Sequence, residues 1–256
     1  MEKPVMCRII DIKEESPSVK TYFLDRDFDF KPGQFGMVWI PGVDEKPFGF
    51  SSKNSISVAM VGEFTKKMHS LKIGDLLGIR GPYGNNFESI GDKILAVSGG
   101  IGSAPIISTI EAFSKLGISI TSIIGGRTKE ELLFLERFQN CGTVYPCTDD
   151  CSFGFHGFTT EKMEELLSKE KYDMIITCGP EIMMKKVIKI AEKYDVPVQL
   201  SLERYMKCGI GICGQCAVDN EGLCICKDGP VFWDNKLKFI SEFGEYKRDA
   251  SGAVFR

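Results

Sequence analysis

Cys208, Cys213 and Cys216 stand in one glycine-rich loop with four and then two residues between them, and Cys226 follows just ahead of Asp228-Gly229-Pro230. Thiolates in this order make the ligand pattern of a plant-type 2Fe-2S centre, whose chemistry is one-electron transfer. Zinc also accepts four thiolates, and a Cys-x-x-Cys pair occurs in both kinds of site. A zinc ribbon usually carries two such pairs, whereas Cys208 stands farther from Cys213. Gly209, Gly211 and Gly214 let the backbone wrap closely and aim amides at sulfur, which a bare zinc ion needs less. Cys224 lies as near as Cys226, so proximity alone leaves both available as the fourth ligand.

An electron carrier needs a donor, so the elements upstream must build one. At 256 residues the chain is long enough for two domains and an appendage. The formal net charge of -3 comes without clustered Lys and Arg, so a nucleic-acid partner or an anionic membrane surface is not expected. No apolar run approaches the roughly 20 residues that span a bilayer, and Met1-Glu2-Lys3-Pro4 lacks a signal peptide's apolar core. A cytoplasmic location is the expectation. Ten cysteines then speak for metal ligation or chemistry rather than disulfides. Cys7, Cys141, Cys147 and Cys151 have no ligand spacing and read as core or surface thiols. His69 and His156 lie outside every motif, which leaves a histidine-based acid–base mechanism without support.

From Asp92 the pattern alternates strand and helix. Strands are expected at 93–98, 119–124, 143–147, 174–177 and 196–202, with helices at 103–116, 129–138, 160–167 and 181–194. Such alternation gives a parallel sheet covered by helices, with ligands at the carboxyl ends of its strands. Ser98-Gly99-Gly100-Ile101-Gly102-Ser103-Ala104-Pro105 joins the first strand to its helix, and Gly99, Gly100 and Gly102 permit close approach of a pyrophosphate. Pro105 occupies the third position of the dinucleotide pattern, and no acidic residue ends the second strand to hold a ribose. Arg127, after Gly125-Gly126, is placed to reach a phosphate.

From Val5 to about Arg80 the chain reads as short strands, 6–10, 19–23, 36–40, 55–61 and 76–79, with turn formers between them and one helix at 66–71. This suggests an antiparallel barrel. The segments Lys46-Pro47-Phe48-Gly49-Phe50-Ser51, Gly62-Glu63-Phe64-Thr65 and Gly81-Pro82-Tyr83-Gly84 resemble the ferredoxin reductase superfamily, whose Arg-Pro-x-Ser strand lies along FAD. Lys46 replaces the usual Arg, and Gly49 the usual hydroxyl residue, with Ser51 on the same strand face two positions on. The resemblance implies FAD contacts from Lys46, Pro47, Phe48, Gly49 and Ser51, from Val58, Ala59 and Met60, and from Phe64 and Thr65 ahead of the helix. The glycine loop matches the Gly-Gly-x-Gly-x-Ala-Pro loop of that superfamily, and Thr177-Cys178-Gly179-Pro180 its second signature. Cys178 would then face the nicotinamide and flavin rings, with Gly179 and Pro180 beside it.

Residues 203–216 together with Ile225-Cys226-Lys227-Asp228-Gly229-Pro230-Val231-Phe232 resemble the dihydroorotate dehydrogenase B electron-transfer subunit family along nearly the whole chain. In that family the fourth ligand directly precedes x-Asp-Gly-Pro, which picks Cys226. The resemblance implies an FAD barrel over 1–90, an NAD-binding α/β domain over 91–202 and a 2Fe-2S module over 203–256. It also implies NAD(H) as exchangeable carrier and a partner subunit that holds FMN and oxidises dihydroorotate in pyrimidine synthesis, two copies of each. Val231, Phe232 and Trp233 are expected to form an exposed apolar rim toward that partner. Similar flavin and iron-sulfur subunits serve soluble hydrogenases, sulfide dehydrogenases and transhydrogenases. The reading from a different class is a zinc-stabilised, nucleotide-binding regulatory module.

Overall fold

The computed structural model describes residues 3–218, 220–237 and 240–255. Strands β1 (Val5–Ser16), β2 (Val19–Leu24), β3 (Phe35–Ile40), β4 (Asp44–Ser52), β5 (Ser55–Ala59) and β6 (Leu76–Tyr83) close an antiparallel barrel in the order β1-β2-β5-β4-β3-β6. Its interior is filled by Ile9, Tyr22, Val38, Phe50, Ile56, Val58, Leu77 and Ile79. Helix α1 (Glu63–His69) closes one end, where Tyr22 Oη donates to the Met68 carbonyl at 2.8 Å. It starts three residues earlier than expected, so Phe64 and Thr65 belong to its first turn.

β1 runs well beyond the expected strand because its second half is carried by the hydrogen-bond ladder to β2, from Ile9↔Leu24 to Ser16↔Val19. The charged run there hides the strand from any apolar pattern. In β4 the pairing to β5 is confined to Phe50↔Ile56 and Ser52↔Ser55, whereas β3 pairs along Asp44 to Gly49. Pro47, which has no N–H to give a ladder, therefore sits where one flank of the strand is free.

The second sheet is built from β7 (Lys93–Gly99), α2 (Ser103–Lys115), β8 (Ser119–Gly126), α3 (Leu135–Cys141), β9 (Gly142–Thr148), β10 (Phe155–His156), α4 (Thr159–Leu167), β11 (Met174–Cys178), α5 (Glu181–Lys193) and β12 (Val198–Ser201). After β12 come α6 (Ile225–Asp228) and β13 (Val231–Trp233). The strand order is β10-β9-β8-β7-β11-β12-β13, parallel throughout except that β13 runs antiparallel to β12. The order reverses at β7, between β8 and β11, and the glycine loop leaves the sheet at that point.

The single helix expected over 129–138 is two pieces, a 3-10 turn at Lys129–Glu131 and α3, broken at Phe134 with φ 59°. Leu132, Leu133 and Phe134 are all buried. Three consecutive apolar side chains cannot share one face of a helix, so the chain breaks to bury them. The expected apolar rim is also corrected: Val231 and Phe232 are 4% and 6% exposed, because β13 is the sheet's last strand and its side chains pack into the cores. Among the described residues no helix is long and apolar enough to cross a membrane.

Candidate functional site

Two clefts meet where the barrel faces the carboxyl ends of the parallel strands. The larger, about 490 Å³, is lined by Gly99, Gly100 and Ile101 at the end of β7, Gly125, Gly126 and Arg127 at the end of β8, Asp149 after β9, and Pro180 and Met183 at the start of α5. The smaller, about 270 Å³, lies between Pro47, Phe48 and Gly49 of β4, Ala104 and Pro105 of α2, Cys178, and Leu202 to Arg204 with Met206. Ala59 and Ile101 line both. A nicotinamide ring entering from one side and a flavin ring from the other would meet at these two residues.

Gly102, expected near a pyrophosphate, packs against the second signature loop. A Cβ there would stand 2.4 Å from the Cys178 carbonyl oxygen and 2.6 Å from the Gly179 nitrogen. Gly179, at φ 156°, in turn lies against the backbone of Gly99. Neither Gly102 nor Gly179 lines a cleft; together they let the two signature loops touch backbone to backbone. Gly100, at φ 54°, and Gly99 remain on the cleft wall. Arg127 also reaches the larger cleft, with its guanidinium held by Glu131 through bonds of 2.8 and 2.7 Å.

The barrel's expected flavin contacts divide. Pro47, Phe48, Gly49, Ala59 and Thr65 line the smaller cleft. Phe64 stacks on Phe48 with centroids 6.0 Å apart and so shapes it from behind. Thr65 Oγ1 accepts the N–H groups of Val61 and Gly62 at 2.8 Å each, so this hydroxyl caps α1. Ser51 is fully buried, bonded to Ser55 and Ser57 at 3.0 and 2.9 Å, and it is Ser57 that reaches the cleft. The Val58 side chain is fully buried in the barrel core, and Met60 lies outside both clefts, half exposed. The Lys46 ammonium pairs with Asp44 and donates to Tyr205 Oη at 3.0 Å, 4.7 Å above that ring. It ties the barrel to the segment ahead of the cysteines rather than lining the cleft.

Cys178 lines the floor of the smaller cleft, its thiol donating to the Ser201 carbonyl at 3.7 Å. Burial drives this thiol far up from its ordinary value, so it is neutral and serves as a small wall atom rather than a nucleophile.

From Met206 the wall of the same cleft runs directly into the cysteine loop. Gly209, Gly211 and Gly214 take φ of 76°, 77° and 69°, which L-residues rarely adopt. The Ile210 amide donates to Cys208 Sγ at 3.5 Å, that of Gly211 to Cys226 Sγ at 3.1 Å, and that of Cys226 to Cys216 Sγ at 3.4 Å. Burial opposes ionisation of Cys208, yet the amides of Ile210, Cys213 and Ile212 and the neighbouring Cys213 thiol bring it down to about 6. Burial and the adjoining Cys216 push Cys226 up. Amides aimed at sulfur fit thiolate ligands, whose charge they stabilise. Among the described residues no three His, Cys, Asp or Glu side chains form a single-ion group. The Cys213 side chain adjoins Cys208, and that of Cys216 adjoins Cys226. Cys224 also adjoins Cys216 but is only half-buried.

Residues 203–238 match the iron-sulfur cluster binding domain of dihydroorotate dehydrogenase B, and residues 96–189 the oxidoreductase NAD-binding domain. A probable dihydroorotate dehydrogenase B (NAD(+)), electron transfer subunit, of Methanocaldococcus jannaschii is 74% identical over 252 residues, 98% of each chain. The chain belongs to the dihydroorotate dehydrogenase B electron transfer subunit family. A like-named protein of Methanothermobacter thermautotrophicus is 48% identical, covering 98% of this chain and 97% of its own. Among solved structures, the NADH-dependent reduced ferredoxin-NADP oxidoreductase matches with a TM-score of 0.81 and 27% identity over 96% of both chains. The ferredoxin reductase of carbazole 1,9a-dioxygenase, TM-score 0.68 at 18% identity over 78% of this chain and 68% of its own, shares the fold. Family membership makes this an oxidoreductase component that carries electrons. The matched domains and the flavin-reductase fold support FAD, a 2Fe-2S cluster and NAD(H) as its cofactors.

Three further side chains, two of them outside every sequence motif, hold this chain's site together. Arg80 forks onto Glu45 at 2.8 and 2.6 Å and donates to the Cys208 carbonyl. Asn85 clamps Val231 through both its backbone groups, at 2.7 and 2.9 Å. Arg204 joins Glu181 and Glu242. All three act across long stretches of chain, so no local spacing marks them.

Proposed function

We propose that the chain passes electrons between the FMN of a dihydroorotate-oxidising partner subunit and NAD, in de novo pyrimidine biosynthesis in the cytoplasm, as two copies of each subunit. The observation that carries this reading is the continuity of the site: two clefts share Ala59 and Ile101, and Met206 leads from the second into the Cys208 loop. When bound, FAD converts a two-electron hydride into single electrons that a cluster can accept. Residues 1–90 hold the FAD, residues 91–202 the NAD, and residues 203–256 the cluster.

In this reading Gly99, Gly100 and Pro180 shape the nicotinamide side, with Arg127 at the phosphate end. Phe48, Gly49 and Pro105 exclude water from the flavin side. Cys178 donates to the Ser201 carbonyl and walls the cleft between the two sides. Cys208, Cys213, Cys216 and Cys226 ligate the cluster, and Cys213 and Ile212 are its exposed edge, where a partner has access.

Anaerobic co-purification from the native source tests the proposal. An FMN-containing partner, NADH bleaching of both the flavin and the iron-sulfur absorption, and dihydroorotate-dependent NAD reduction are expected. Cys226→Ser should abolish the cluster's EPR signal and Cys224→Ser should keep it; the opposite pattern would overturn the ligand assignment. A partner without dihydroorotate activity would instead favour a transhydrogenase-type subunit, the reading that the likeness to the ferredoxin-NADP oxidoreductase supports.

A further inference from the structure

Arg204 lines the smaller cleft, and the residue is 8% exposed. Its Nε donates to the Glu242 carboxylate, and its Nη1 to the Glu181 carboxylate and, at 2.8 Å, to the Glu203 carbonyl. Glu181 opens α5 directly after Cys178-Gly179-Pro180; it accepts the Gly244 N–H at 2.8 Å and lies 3.4 Å from Lys247 Nζ. Both carboxylates are themselves buried. Two acids from distant stretches of chain thus fix the plane of one guanidinium.

Its remaining nitrogen, Nη2, is buried and has no hydrogen-bond partner. A charged donor out of water and without an acceptor is unfavourable, and native proteins rarely leave one so. On the same wall Leu202 and Met206 offer no acceptor side chain, and the Glu203 carboxylate makes no bond to Nη2. The geometry is explained if the acceptor arrives with the group that fills the cleft.

We infer that Arg204 is a flavin-positioning residue whose Nη2–H donates to a ring carbonyl of FAD, with Glu181 and Glu242 holding the guanidinium at the angle this requires. The inference rests on the flavin reading of the cleft given under Proposed function. Because the reduced ring is richer in electrons at its carbonyl edge, a cationic donor there binds the reduced flavin more tightly than the oxidised. Glu181 sits on the nicotinamide loop and Arg204 on the chain leading to Cys208, so the same contact aligns the ring between its two exchange partners.

The test uses the full-length chain, stripped of flavin and reconstituted with FAD. Arg204→Lys keeps a cation between the two acids but loses the planar fork. FAD binding about tenfold weaker is expected, with the reduced flavin disfavoured a further tenfold, read by spectroelectrochemistry as a two-electron midpoint about 30 mV lower. Circular dichroism and iron content should be unchanged. In the wild type, 2-thio-FAD and 4-thio-FAD each turn one ring carbonyl into a poor acceptor, and one of them should bind at least fivefold more weakly than FAD; this reads the contact even if Arg204→Lys fails to fold. An unmoved midpoint in folded Arg204→Lys, or equal binding of both analogues and FAD by the wild type, overturns the role of Arg204 alone. A wild-type chain that takes up no FAD at all overturns the flavin reading beneath it.

Discussion

Arg80 Nη2, on the last barrel strand, donates a 3.2 Å hydrogen bond to the carbonyl oxygen of Cys208, the first cysteine of the cluster loop. The same guanidinium forks onto Glu45 and reaches Tyr83 Oη at 3.3 Å, and its residue is 4% exposed. Arg80 thus helps to hold barrel and cluster loop in register. Arg80→Met should destabilise the protein by about 3 kcal/mol, because it leaves a mostly buried Glu45 without its partner. The cluster's EPR line shape should change while flavin content holds. Urea denaturation and EPR on the same preparation check both; identical spectra would show that Arg80 serves the barrel alone.

Asn85 is the second tie. Its Nδ2 donates to Val231 and Asp228 carbonyls at 2.7 and 3.2 Å, and its Oδ1 accepts the Val231 amide at 2.9 Å. Asn85→Ala should cost about 2 kcal/mol and leave buried backbone groups unpaired. Since α6 carries Cys226 just ahead of this clamp, iron per chain after purification in air should fall. Full iron occupancy in the variant would count against that coupling.

At Gly102 the constraint is space rather than backbone angle, since its φ is an ordinary -58°. Gly102→Ala should destabilise by about 1–3 kcal/mol by pushing apart the loops that bear Gly99 and Cys178, and NADH should reduce the flavin more slowly. Gly49→Ala is the contrast, because its Cβ would meet only Pro105, at 3.7 Å. Flavin-free Gly49→Ala should melt within about 0.5 kcal/mol of the wild type. Stopped-flow reduction and thermal melts of both variants decide the matter.

Alkaline stability follows from the barrel core. Burial, with Asp25 adding to it, pushes the Cys7 thiol from 9.0 up to about 11. Between these values the unfolded chain loses this proton and the folded one keeps it, so stability is intact below pH 9 and falls as pH rises toward 11, by about 2 kcal/mol. Cys7→Ala, which removes the titrating group, should flatten that part of the stability profile. Chemical denaturation at closely spaced pH values reads the slope; an equal slope in both proteins would assign the loss to other groups.

The barrel, the parallel sheet and the glycine loop were legible because each is announced by local pattern: turn formers, strand–helix alternation, and glycines where strand meets helix. The limits were equally local. The second half of β1 was missed because its strand character is set by pairing with β2, and the break at Phe134 because a helical pattern does not show that three apolar side chains need different directions. Val231 and Phe232 looked like an exposed rim because their burial depends on β12, about thirty residues upstream, being an open sheet edge that accepts them.

Cys208, Cys213 and Cys216 and the two signature loops are marked by residue type and spacing alone, since a metal-binding loop or a dinucleotide turn requires particular atoms a few positions apart, whereas the choice of Cys226 over Cys224 rests on the family resemblance. Only the tertiary structure decided what holds those pieces against one another. Arg80 and Cys208 are 128 positions apart, Asn85 and Val231 146, and Arg204 and Glu242 38. Contacts at such separations are set by how whole elements pack, and packing leaves no spacing in the chain. For the same reason Ser57 rather than Ser51 lines the cleft: both join one buried hydroxyl network, and the closed barrel brings only Ser57 to the wall.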